Sequence, residues 1–157
     1  MKKRILAIIM IMVMVMCLAL CACGGGTSAT ITDNDGNTVQ MTAKELISIN
    51  NENESKFKKQ FELADITVEG KVEKVEEAMI DFSIRYVDVI HLYLEGGWQV
   101  DLLKDKHEEV IDLSKGDSVK VSSKISPAAT LSGNYIPLAD YNVSQRKLQD
   151  NTTITLQ

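Results

Sequence analysis

The stretch Ile66-Thr67-Val68-Glu69-Gly70-Lys71-Val72-Glu73 alternates between apolar or small residues and polar ones. A period of two is the mark of a strand with one buried face. Gly70 sits in the middle, where glycine marks a bend or bulge. After Val72 the next apolar residue is Val75, not residue 74. One extra residue in a strand produces that slip. A long, bent first strand facing a core is therefore expected from Ile66.

Downstream, Ile84 to Leu94 reads as a second strand with two apolar faces: Tyr86, Ile90, Leu92 and Leu94 on one, Val87, Val89 and Tyr93 on the other. Gly96-Gly97 turns the chain, and Trp98, Val100 and Leu102 make a third strand. Asp105 to Ser114 has helical spacing, stopped by Gly116. Val119, Val121 and Ile125 form a fourth strand, Tyr135 to Val143 a fifth, and Thr152 to Leu156 an edge strand or a frayed end.

Upstream, Thr42-Ala43-Lys44-Glu45 has capping-box spacing, so a helix is expected from about Ala43 to Glu62. Leu46, Ile47, Phe57 and Phe61 form its apolar stripe; the polar middle, Asn50 to Ser55, predicts a bend or exposure. Before it, Asp33-Asn34-Asp35-Gly36-Asn37 lies between two β-prone arms and reads as a hairpin turn. An EF-hand starting at Asp33 needs Gly at position 38 and Glu at 44; the chain has Thr38 and Lys44.

The N-terminal segment has another character. Lys2, Lys3 and Arg4 precede an apolar run from Ile5 to Ala22, which ends in Leu20-Cys21-Ala22-Cys23 and Gly24-Gly25-Gly26. A positive start, an apolar middle and a small-residue end describe an export signal. The run of 18 apolar residues is near the lower limit for an uncleaved membrane-spanning helix, the rival reading, with ordinary secretion a third; the Leu-x-Ala-Cys ending favours a lipobox, with Cys23 as the lipid attachment residue. The expected divisions are residues 1–22 as signal peptide, 23–30 as tether, 31–41 as hairpin, 42–64 as N-terminal helix and 65–157 as a β domain.

Cys17 and Cys21 lie in this leader and Cys23 directly after it; the exported part has no other cysteine, so it has no internal disulfide. The chain has 17 basic and 22 acidic side chains; loss of Lys2, Lys3 and Arg4 leaves 14 against 22, a net of −8. That balance disfavours generic contact with nucleic acid.

Helix, bent strand, two strands, short helix, two strands is the order of a five-stranded OB-fold barrel with a helix between strands three and four. The residues resemble the tRNA-anti-like OB-fold domains found in bacterial lipoproteins. The likeness rests on Asn53, Phe57 and Phe61 on the preceding helix, on Val68-Glu69-Gly70-Lys71-Val72, and on Leu113-Ser114-Lys115-Gly116-Asp117-Ser118-Val119. It covers roughly Thr42 to Val143. The resemblance implies a mainly β barrel, with no assigned activity and no catalytic residues.

Fold logic places a ligand on strands two and three, making Arg85, Tyr86, Tyr93 and Trp98 the candidate face; the competing reading makes the aromatics core or rim. No Ser-His-Asp signature, P-loop or dinucleotide fingerprint is present. His91 and His107 are the only imidazoles, and a zinc site would need both plus carboxylates from separate segments. The expectation is thus a non-enzymatic, extracytoplasmic lipoprotein with no metal or cofactor. It is held to the membrane through Cys23 and engages a protein or another cell-envelope partner. The alternative is single-stranded nucleic acid or oligosaccharide on the barrel face.

Overall fold

Strand β3, Asp65–Asp81, is the longest strand among the described residues, and three other strands pair along it. The coordinates are a computed structural model that describes residues 27–81, 86–127, 134–139, 141–142 and 147–157. Cys23, Arg85 and the leader lie outside the described residues.

The first half of β3 pairs antiparallel with β1 (Ser28–Thr32) on one side and with β6 (Ser118–Lys124) on the other. Its second half pairs with β4 (Tyr86–Leu94). The register shifts between Val72 and Lys74. Glu73 is the extra residue, and it switches the inward parity: Ile66, Val68 and Val72 face the core before it, Val75 after it. One inserted residue moves all later side chains to the opposite face.

β4 pairs with β5 (Trp98–Leu103), and β5 pairs in parallel with β7 (Ile136–Leu138). β2 (Thr38–Thr42) completes a hairpin with β1. β10 (Thr153–Leu156) lies on the far side of β6, and β8 (Tyr141–Asn142) with β9 (Lys147–Leu148) forms a separate small ribbon.

The expectation of a closed five-stranded OB-fold barrel is corrected here. The described residues form an eight-stranded sheet, mixed parallel and antiparallel. β6 and β7 meet at one isolated bridge, Ile125 opposite Leu138, with two flanking backbone bonds and no ladder. β7 is three residues long and contains Pro137, which has no N–H to donate. The expected helix between the third and fourth strands is two short 3-10 turns, Lys104–Lys106 and Glu108–Asp112. The expected fifth strand, Tyr135 to Val143, divides into β7 and β8.

The expected N-terminal helix is two helices, α1 (Ala43–Glu52) and α2 (Glu54–Phe61). Asn53 adopts φ −159°, ψ 89° and serves both ends: its N–H reaches Ile49 O, and its Oδ1 accepts from Lys56 N at 2.9 Å. At the start of α1, Thr42 N donates to Glu45 Oε2 and Glu45 N donates to Thr42 Oγ1, closing the capping box. Phe57 and Phe61 stand one turn apart, 5.8 Å between ring centres, and bury with Leu46 under the sheet.

The Asp33 loop docks on the end of α2. Asp33 Oδ1 accepts from Asp35 N and Asn37 N, and Gln60 Nε2 donates to its other oxygen. Asn34 Nδ2 donates to the carbonyls of Lys59 and Glu62, which the helix end leaves without intrahelical partners.

The main core holds Ile31, Leu46, Phe57, Phe61, Ile90, Leu92, Leu94, Trp98, Val100, Leu102, Ile136 and Leu138. A smaller cluster on the opposite face of β4 holds Val89, Ala139 and Leu148, with Ala78, Ile80, Val87 and Leu103 against it. Two apolar faces on β4 thus serve two separate packings. No helix among the described residues is long and apolar enough to cross a membrane.

Candidate functional site

Of the four residues expected to form a ligand face, the three described ones, Tyr86, Tyr93 and Trp98, are not brought together. Trp98 is fully buried, and its Nε1 donates to the Thr27 carbonyl at 3.1 Å. Tyr93 lies on the outer sheet face, packed edge-on against Tyr135 at 4.9 Å. Tyr86 stands at the start of β4 and is 72% exposed. Arg85 lies outside the described residues.

Tyr93 belongs to a tight polar patch. The outward parity of β3, β4 and β5 brings Glu76, His91 and Asp101 into one cross-strand row, and Lys74, Tyr93 and Gln99 into the next. His91 Nδ1 lies 2.7 Å from Asp101 Oδ1, and Gln99 Nε2 donates to the same oxygen at 2.8 Å. The short contact to a carboxylate assigns the proton to Nδ1. Gln99 Nε2 also lies 3.3 Å from Nδ1. With the ring nitrogen already donating, that contact is not a bond.

Asp101 holds the His91 pKa above its ordinary value near 6.5; burial opposes the shift, and Glu76 adds to it. Lys74 Nζ bonds Glu76 at 2.8 Å and sits 4.2 Å above the Tyr93 ring. Tyr135 OH reaches both carboxylate oxygens of Glu73, the bulge residue, at 3.3 Å. These groups satisfy one another, so the patch works as a clasp across three strands.

His107 lies apart from this row in the strand pairing. Its Nε2 is 2.9 Å from Asp150 and its Nδ1 is 3.5 Å from Glu109. Among the described residues no three His, Cys, Asp or Glu side chains are grouped to hold a metal ion.

The more open feature is the outer half of the β3–β4 ribbon. Met79 pairs across with Asp88, and Asp81 with Tyr86. Directly opposed residues share a face, so Met79 and Tyr86 are diagonal neighbours on it. This is the face that carries Ile90 into the main core. It continues beyond the end of the core, and Met79 (68% exposed) and Tyr86 are left uncovered there. The reverse face of the same ribbon is covered by the smaller apolar cluster.

Beside it lies an open groove of about 560 Å³, lined by Tyr86, Val87, Leu103, Leu148, Lys104 and Lys106, among others. Lys104 bonds Glu77 of β3 and ties the groove wall to the ribbon. Met79 lies on no strong apolar pattern in the sequence; its place on the Ile90 face follows from the parity switch at Glu73, and its exposure from lying beyond the end of the core.

No family model, no curated protein and no solved structure matches this chain. The resemblance to the tRNA-anti-like OB-fold domains of bacterial lipoproteins falls with the barrel, because the described sheet is eight-stranded, mixed and not closed. The non-catalytic OB-fold function falls with the fold it was stated for. The alternative, nucleic acid or oligosaccharide on the barrel face, falls because Trp98 is in the core and Tyr86 and Tyr93 lie on opposite sides of β4.

Proposed function

We propose that the chain is exported, held at a membrane by a lipid on Cys23, and engages a protein of the cell envelope, without catalysis, through the outer half of the β3–β4 ribbon. The observation that carries the contact surface is the exposure of Met79 and Tyr86 side by side, beyond the end of the core. Large apolar side chains cost solubility when left in water, and a pair on a projecting element fits burial against a partner. Asp88 shares that face, so the partner's complementary surface is apolar with a basic group at its margin.

The placement rests on the residues of the leader: Lys2, Lys3 and Arg4, the apolar run, and Cys23 followed by three glycines.

A photo-reactive amino acid placed at Met79 or Tyr86 in living cells tests the contact. One discrete crosslinked protein is expected from both positions, lost on adding Met79→Glu to the Tyr86 reporter. Lys120, exposed on β6, is the control position. Identical products from Lys120 and Tyr86, or none from Tyr86, would refute the contact surface.

A further inference from the structure

Thr27, the first of the described residues, is hydrogen-bonded and closely packed against the β4–β5 turn. The Thr27 carbonyl accepts from Trp98 Nε1. A side chain at Gly96 would come within 2.8 Å of the Thr27 backbone nitrogen, and one at Gly70 within 3.1 Å of the Thr27 methyl. From Ser28 onward the chain is β1, paired with β2 along its length and with β3 from Ala29. The expected tether of residues 23–30 is thus shorter: Ser28 to Thr30 belong to the sheet, and Thr27 is seated against the β4–β5 turn.

Only Gly24, Gly25 and Gly26 separate Cys23 from Thr27. Four residue steps, fully extended, span roughly 14 Å. The exposed ribbon lies at the other end of β4. From Leu94 to Tyr86 is eight strand steps, or about 26 Å. The body is also acidic, so an anionic leaflet offers it no attraction to lie flat along the headgroups.

We infer that the domain stands on the membrane with the pole formed by Thr27, Glu95 and Gly96 against the lipid headgroups, and with the Met79–Tyr86 end of the ribbon directed outward. This inference rests on the reading of Cys23 as the lipid-bearing residue. It explains why glycine occupies both positions that touch the stem. It also places the proposed contact surface where a neighbouring envelope protein can reach it.

The test uses the full lipid-bearing chain reconstituted in vesicles of phosphatidylethanolamine and phosphatidylglycerol. The exported part has no cysteine after Cys23, so Glu95→Cys and Asp88→Cys each give one labelling position. A fluorophore at each is quenched by lipids carrying a nitroxide at the headgroup. The label at position 95 is expected to be quenched several-fold more than that at 88. Inserting a twenty-residue Gly-Ser segment after Gly26 is expected to erase most of the difference.

Equal or reversed quenching, with the lipid verified on Cys23 by intact mass, overturns the orientation alone. A chain whose intact mass shows no lipid on Cys23 overturns both the anchorage and the orientation.

Discussion

His91 Nδ1 and Asp101 Oδ1 lie 2.7 Å apart on adjacent strands, with the two side chains 17% and 14% exposed. The carboxylate raises the His91 pKa above 6.5. A raised folded-state value means a stabilising contribution fully present below the unfolded value and lost as pH rises through the higher folded one. Urea midpoints are therefore expected to fall as pH climbs from about 6 through that folded value, and His91→Gln to remove this part of the slope. Imidazole titration by NMR checks it directly. A His91 that titrates at or below 6.5 in the folded protein would falsify the clasp.

Asp33 has the opposite sign. Its pKa is held below 3.8, chiefly by the Asn37 backbone N–H and then by the Gln60 amide. Its contribution is complete above the unfolded value and disappears as pH falls through the folded one. Asp33→Asn is expected to flatten the acid limb of the stability curve and leave the limb due to His91 unchanged. A pH series of thermal melts separates the two.

Trp98 is the only tryptophan and is fully buried. Its emission is expected to be blue-shifted in the folded protein and to move red in one step on unfolding. Trp98→Phe removes the donor to the Thr27 carbonyl and is expected to cost about 1–2 kcal/mol. Trp98→Ala also opens a cavity and is expected to cost about 3–5 kcal/mol. Denaturant titration followed by circular dichroism measures both.

Asn53 ends one helix and begins the next through its own backbone and side chain. Asn53→Ala removes the acceptor for Lys56 N, at an expected cost of about 1 kcal/mol. Thr42→Ala, at the capping box, is expected to cost a similar amount. The two caps share no partner, so the double variant should be close to additive. A clear departure from additivity in urea midpoints would show that α1 and α2 respond as one unit.

Gly96 and Gly36 both have positive φ, 93° and 84°. A side chain at Gly36 meets nothing within 4 Å, whereas one at Gly96 meets the Thr27 backbone at 2.8 Å. Gly36→Ala should cost only the conformational strain, about 1–2 kcal/mol. Gly96→Ala should cost clearly more and should increase hydrogen exchange at Ser28 and Ala29, where the stem is unseated. Equal losses in the two variants would mean that the stem contact contributes nothing.

The sequence by itself determined what is local. The alternation through Ile66 to Val72 and the slip to Val75 marked the strand and its bulge, because side-chain direction follows backbone period within one element. The Thr42 and Glu45 spacing marked the start of α1, because a cap is made within four residues. The polar middle of the expected helix marked the place where Asn53 divides it. The apolar residues on both faces of β4 were visible too, although not that they serve two separate clusters.

The tertiary structure alone decided the closure and the depth. Whether β6 and β7 close a barrel depends on residues such as Ile125 and Leu138 meeting across a shortened, proline-bearing strand. Whether Trp98 faces a ligand or the interior depends on Thr27, 71 positions away in the chain. The row of Glu76, His91 and Asp101 needs three strands in register, and the exposure of Met79 needs the core to end at Ile90. Periodicity reports which side of its own strand a residue occupies. It holds no information about what distant chain lies on that side, and that is what separates a binding face from a core.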